Sequence, residues 1–107
     1  ITVEIPSATE DISFFFSDVA ITVYKIRAVV LGTTPSITWT FRHGTDRSAT
    51  GSECVTGGTT TTNETTGDEI TVFDNPTIVA NSWIWLETTA KSGVVDTLSL
   101  TFYYNED

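Results

Sequence analysis

The chain is short of the residues from which most catalytic and metal sites are built. Among its 107 residues there is one cysteine, one histidine and no methionine. A single cysteine, Cys54, leaves no intramolecular disulfide, and one His with one Cys falls short of a transition-metal ligand set. Its surroundings, GSECVTGG, hold no positive charge to lower a thiol pKa. Cys54 is therefore expected as a buried structural thiol and not as a nucleophile. Basic residues are scarce as well, with 5 Lys and Arg against 14 Asp and Glu and a formal net charge of -9. Lys25, Arg27, Arg42, Arg47 and Lys91 form no run. Nucleic acid is thus not an expected partner, because that binding rests on neutralising phosphates. Unbroken apolar stretches such as AVVL (28–31) are far below the length of a membrane span, so no membrane insertion is expected. The lack of methionine even at position 1 points to a processed initiator or to a piece of a longer polypeptide.

What the chain does have is threonine, 22 of them. Threonine is β-branched and favours extended backbone, and apolar residues recur here with a period of two. The strand candidates are ITVEI (1–5), DISFFF (11–16), AITVYKIRAVVLG (20–32), SITWTFRHG (36–44), EITVF (69–73), SWIWLETTA (82–90) and TLSLTFYYN (97–105). The pattern puts Ile1, Val3 and Ile5 on one face, and likewise Ile12, Phe14 and Phe16. Tyr24, Ile26, Ala28 and Val30 share a face opposite Lys25 and Arg27. Ile37, Trp39 and Phe41 point inward, and Leu98, Leu100, Phe102 and Tyr104 share a face. Turn residues fall between these runs at GTTP (32–35), HGTD (43–46), TGG (56–58), TGDE (66–69), FDNP (73–76) and KSGV (91–94). A hairpin over 83–103 turning at KSG is expected. Seven or eight short strands in a single domain, 1–107, fit an all-β sandwich or barrel.

Chemistry is sparse. His43, Asp46 and Ser48 lie close together in FRHGTDRS, but a hydrolytic triad converges from separate elements and not from one tight turn. The expected role of Asp46 is to bond local backbone amides, and that of Arg42 and Arg47 to pair with carboxylates. No calcium-loop spacing is present among the acids, and TGGT is only a glycine pair with no helix after it to supply an anion-binding N-terminus. No cofactor and no metal are expected. The segment TGGTTTTNETTGDE (56–69) reads as a solvated edge strand and loop, with pairing across a subunit boundary as the competing reading.

Aromatic residues are the remaining candidates. In NSWIWLETTA (81–90), alternation puts Trp83 and Trp85 on one side and Ile84 and Leu86 on the other. Both sides are apolar, and the domain's own core can cover only one. A neighbouring subunit would cover the second. Alternatively FDNPTIVAN, with Ile78 and Val79, would fold over it. Trp39 alternates in phase with Ile37 and Phe41 and belongs to the core. Trp83, Trp85 and Tyr103 are the candidate subunit or glycan contacts.

Two segments, RHGTDRSATG (42–51) and ANSWIWLETTA (80–90), carry a wider likeness over roughly residues 12 to 104. By general pattern the chain resembles a small β-rich domain of structural and fibre proteins of tailed bacteriophages, many of them marine. The resemblance implies an all-β, jelly-roll-like antiparallel β-sandwich of seven to eight strands. It also implies a non-enzymatic component of the virion surface, on a tail fibre or as capsid decoration. Its expected partners are copies of itself, as a trimer, and other virion proteins, with a host-surface glycan as a further candidate. The alternative expectation, from a different functional class, is a carbohydrate-binding module of a secreted enzyme or adhesin.

Overall fold

The computed structural model describes residues 1–107 and contains strands but no helix. In chain order these are β1 (Thr2–Glu4), β2 (Asp11–Ser17), β3 (Ile21–Gly44), β4 (Ser52–Glu53), β5 (Thr59–Thr61), β6 (Asp68–Ile70), β7 (Thr77–Ile78) and β8 (Ser82–Glu106). They form one antiparallel sheet of 8 strands, folded over as a sandwich.

β3 and β8 dominate, with 24 and 25 residues. They pair along their whole length, from Ile21 opposite Glu106 to Gly44 opposite Trp83. Two sequence expectations are corrected by this ribbon. GTTP does not separate two strands, and no hairpin turns at KSG. At both places the ribbon bends while its ladder continues, with register shifts between Leu31 and Gly32 and between Thr33 and Ser36. A Cβ on Gly32 would run into the Val94 carbonyl, and one on Gly93 into the Thr34 carbonyl. The glycines serve close approach of two backbones at a crease, which looks the same in sequence as a chain reversal.

The crease divides the ribbon into two layers. In the first, residues 97–106 and 21–31 are flanked by β1 and β6. In the second, residues 82–91 and 36–44 are flanked by β2 and β5. If each half of β3 and β8 is counted as a strand, one layer runs β1, 97–106, 21–31, β6 and the other runs β2, 82–91, 36–44, β5. This is the strand order of a double-sheet jelly roll. β4 and β7 are short additions along β3.

Between the layers lies one hydrophobic cluster. Ile26, Ala28, Val30, Leu98 and Leu100 meet Ile37, Trp39, Phe41, Ile84 and Leu86. Trp39 donates from Nε1 to Thr61 Oγ1 at 2.9 Å, so its one polar atom is satisfied in the dry interior. The threonine run thus supplies an edge strand, β5, whose Thr60 is exposed and whose Thr61 is fully buried.

Simple alternation fails where the ladder slips. A bulge between Ser13 and Phe15 makes Phe14 the extra residue. Phe14 and Phe15 then both pack on the core, and Phe16 moves to the outside, away from the face expected for it. A second slip between Val23 and Lys25 puts Tyr24 outside while Val23 and Ile26 stay inside. Ile5 leaves the face of Ile1 and Val3, with a φ of 47° and 78% of its surface exposed. The strand expected over 69–73 ends at Ile70, and Val72 is exposed.

Candidate functional site

The outer face of the second layer decides the question raised by NSWIWLETTA. Ile84 and Leu86 belong to the core, so Trp83 and Trp85 face outward. Trp85 is nevertheless completely buried, at 0% exposure. Its own chain covers it, through the loop that links β3 to β4. The Arg47 guanidinium lies 4.3 Å from the centroid of the Trp85 ring. Arg47 is anchored there by donating from Nε to Ser13 Oγ at 2.7 Å and by pairing through Nη2 with Asp11. A cation over an indole face contributes about 0.5–1 kcal/mol when exposed and about 2 kcal/mol when desolvated, and Arg47, with 29% of its side chain open, lies between.

The same tryptophan is tied into a row of alternating charges. Trp85 Nε1 donates to Glu87 Oε2 at 3.0 Å. Glu87 Oε1 accepts from Arg42 Nε at 2.9 Å, and Arg42 Nη2 reaches Glu53 Oε1 at 2.9 Å. Arg42 and Arg47 thus pair with carboxylates as their sequence context suggests. Arg47 also does what sequence did not suggest: it lids a tryptophan. The segments 42–51 and 80–90 meet at this point.

Neither a neighbouring subunit nor FDNPTIVAN is therefore needed to cover Trp85. Ile78 of that segment enters the core opposite Ile21, and Val79 stays exposed. Trp85 is not open to a subunit or glycan contact, because its cover is internal and close-fitting. A Cβ on Gly51 would lie 2.5 Å from Trp85 Cη2.

Trp83 is different. It pairs across the ladder with Phe16, ring centroids 4.8 Å apart at 60°. Each of the two side chains keeps 40% of its surface open. Tyr103 lies elsewhere, on the outer face of the first layer. There the Lys25 ammonium sits 4.5 Å from its ring centroid, and Tyr24 packs beside it at 6.1 Å and 52°. Trp83 and Tyr103 thus serve opposite faces and form no common platform.

No protein-family model, curated protein or solved structure matches this chain.

The titratable groups near the loop are spoken for. His43 donates from Nε2 to the Asn75 carbonyl at 2.9 Å. Ser48 Oγ donates to Asp46 Oδ1 at 2.7 Å, and the Ser48 amide donates to the same oxygen at 3.0 Å. These two bonds, the hydroxyl first, hold the Asp46 carboxyl below the usual carboxylate range. His43 and Ser48 are thus each bonded to a different partner. Cys54 is buried, and desolvation pushes its thiol from 9.0 to about 12. No group of three or more His, Cys, Asp or Glu side chains is placed to hold a metal ion.

Sequence reasoning missed Phe16 as the partner of Trp83, because the bulge at Phe14 cannot be seen in a run of three phenylalanines. It also missed the hollow beside Arg27. Its Thr66–Gly67 wall lies within the turn TGDE.

Proposed function

We propose that the chain is a non-enzymatic structural domain of a phage virion surface, on a tail fibre or as capsid decoration. In this reading it assembles with copies of itself through the outer face at Phe16 and Trp83. The supports are the resemblance of the 42–51 and 80–90 segments and a double-sheet topology that recurs in viral capsid and lectin domains. The second support is an argument by fold alone. The observation that carries the reading is the open Phe16–Trp83 pair beside a tryptophan its own chain has already covered.

Magnitude favours a contact there. Two aromatic side chains of about 150–250 Å² each, at 40% exposure, leave roughly 120–200 Å² of surface in water. Covering it contributes about 3–5 kcal/mol per protomer at ~25 cal/mol per Å². Association costs at least that much in lost freedom, so the pair acts as the anchor of a wider contact and not as the whole of it.

A carbohydrate-binding module is the weaker reading. A stacking shelf wants coplanar rings, whereas the exposed pairs are inclined at 60° and 52°. Sedimentation equilibrium separates the readings. The assembly reading expects an oligomer, with a trimer as the leading stoichiometry, and a shift to monomer in Trp83→Lys with β-sheet circular dichroism retained. A strictly monomeric wild-type chain at high micromolar concentration removes it.

A further inference from the structure

The outer face of the first layer carries a hollow with a volume of about 150 Å³. Strand alternation builds it. Val29, Ser99 and Thr101 point outward from adjacent strands, with Ser99 opposite Val29 and Thr101 opposite Arg27. The Thr66–Gly67 turn forms the wall. Gly67 has a φ of +83°, and a Cβ there would lie 2.8 Å from the Ala28 carbonyl, so only glycine lets this wall stand so close to the sheet.

The chemistry of the lining is mixed in a specific way. Val29 offers an apolar floor, Ser99 and Thr101 offer hydroxyls, and Arg27 offers a guanidinium. Arg27 Nη1 donates to the Thr66 carbonyl at 3.1 Å, and Nη2 donates a long hydrogen bond to Glu69 Oε2 at 3.4 Å, which is also an ion pair. A guanidinium has five N–H donors in a fork that fits a carboxylate, so most of its capacity is unused. Lys25 adds a second cation one side-chain spacing along the strand, 3.7 Å from the other oxygen of Glu69. Two cations therefore share one carboxylate, on a protein of net charge -9. Asp68 and Glu64 are the other acids of the flanking β6 and turn.

We infer that this hollow binds the carboxylate-bearing sugar ring of an acidic saccharide. The carboxylate takes the Arg27 fork, displacing the loose Glu69 contact. The C–H face of the ring lies on Val29, and its hydroxyls meet Ser99 and Thr101. The cavity is smaller than the pockets that enclose drug-sized ligands, which suits one terminal or branching ring and a dissociation constant near the millimolar range. The inference uses no residue of the Phe16–Trp83 face, so it stands or falls apart from the assembly reading.

Glucuronate titration followed by amide chemical shifts tests it, with glucose and acetate as parallel probes. Glucuronate is expected to shift Thr66, Gly67, Ser99 and Thr101 saturably, with glucose and acetate at least tenfold weaker. Arg27→Gln should abolish the response. Glu69→Gln should strengthen it severalfold, because the competing carboxylate is gone. Both positions are partly exposed surface sites, and unchanged tryptophan fluorescence checks that the fold is intact. Absence of saturable shifts overturns the inference. So does an equal response to acetate or glucose, or an Arg27→Gln variant that binds as wild type.

Discussion

Replacing Gly51 by alanine tests whether the Arg47 loop is seated on Trp85. Gly51 has a φ of +72°. A Cβ there would lie 2.5 Å from Trp85 Cη2, 2.8 Å from Cζ2 and 2.9 Å from the His43 carbonyl oxygen. The indole cannot swing aside, because it is fully buried beneath Arg47 and bonded to Glu87. Two costs follow. An L-residue in the left-handed region costs about 1–2 kcal/mol, partly offset by about 0.4–1 kcal/mol of unfolded-chain entropy. Overpacking adds about 1–3 kcal/mol. Gly51→Ala is therefore expected to destabilise by about 2–4 kcal/mol, against a total for a domain of about 5–15 kcal/mol. Gly57 supplies the control. Its φ is +83°, but a Cβ there meets nothing within 4 Å. Gly57→Ala should show only the backbone cost, about 1 kcal/mol. Urea denaturation followed by tryptophan fluorescence gives both values, provided that m is unchanged. If the two variants lose the same stability, the loop does not press on Trp85 and the internal cover is refuted.

Three further outcomes are expected. Asp46 has a depressed folded pKa, so its contribution is present above the unfolded value of 3.8 and is lost as pH falls through the folded value. Asp46→Asn should accordingly flatten the acid limb of a melting-temperature profile, and an unchanged acid limb counts against the Ser48 bonds. The Cys54 thiol is raised from 9.0 to about 12, so its contribution is intact below pH 9 and is lost as pH rises toward 12. At pH 8 the native protein should resist iodoacetamide until urea unfolds it, and prompt labelling would contradict the burial. Ile5→Asn should raise stability by about 1 kcal/mol, because a β-branched residue at positive φ is strained and asparagine tolerates that region. Ile5 is exposed, so little packing is lost in exchange. A lower melting temperature in a calorimetric scan would show that Ile5 makes contacts the structure does not contain.

Local alternation carried much of the fold in the sequence. Ile37, Trp39 and Phe41 point inward as their spacing requires, and so do Leu98 and Leu100. What alternation could not show is where the ladder slips. Phe14, Phe16 and Tyr24 all lie at or beside a bulge, and a bulge is set by pairing with a distant strand, not by neighbours in sequence. Turn chemistry misled for a related reason, since Gly32 and Gly93 mark a crossing of two backbones. The Trp83–Trp85 question was well posed, but its answer divides between the two residues. Arg47 reaches Trp85 only because the loop after β3 folds back over β8, and nothing in FRHGTDRS announces that. The Arg27 hollow was hidden in the same way, because Thr66 and Ser99 become neighbours only through tertiary structure.

The unbroken run of β3 and β8 through the crease has a consequence for how the molecule comes apart. The central strands of the two layers are halves of the same two strands, so parting the layers uncovers the one cluster that both share. Even the pair closest in sequence, Gly44 with Trp83, closes a long loop, which favours slow folding on the scale of milliseconds or longer. Melting should then be a single concerted event. Hydrogen exchange would see this as one shared opening energy for the most protected amides of Ile26, Leu98, Ile37 and Ile84.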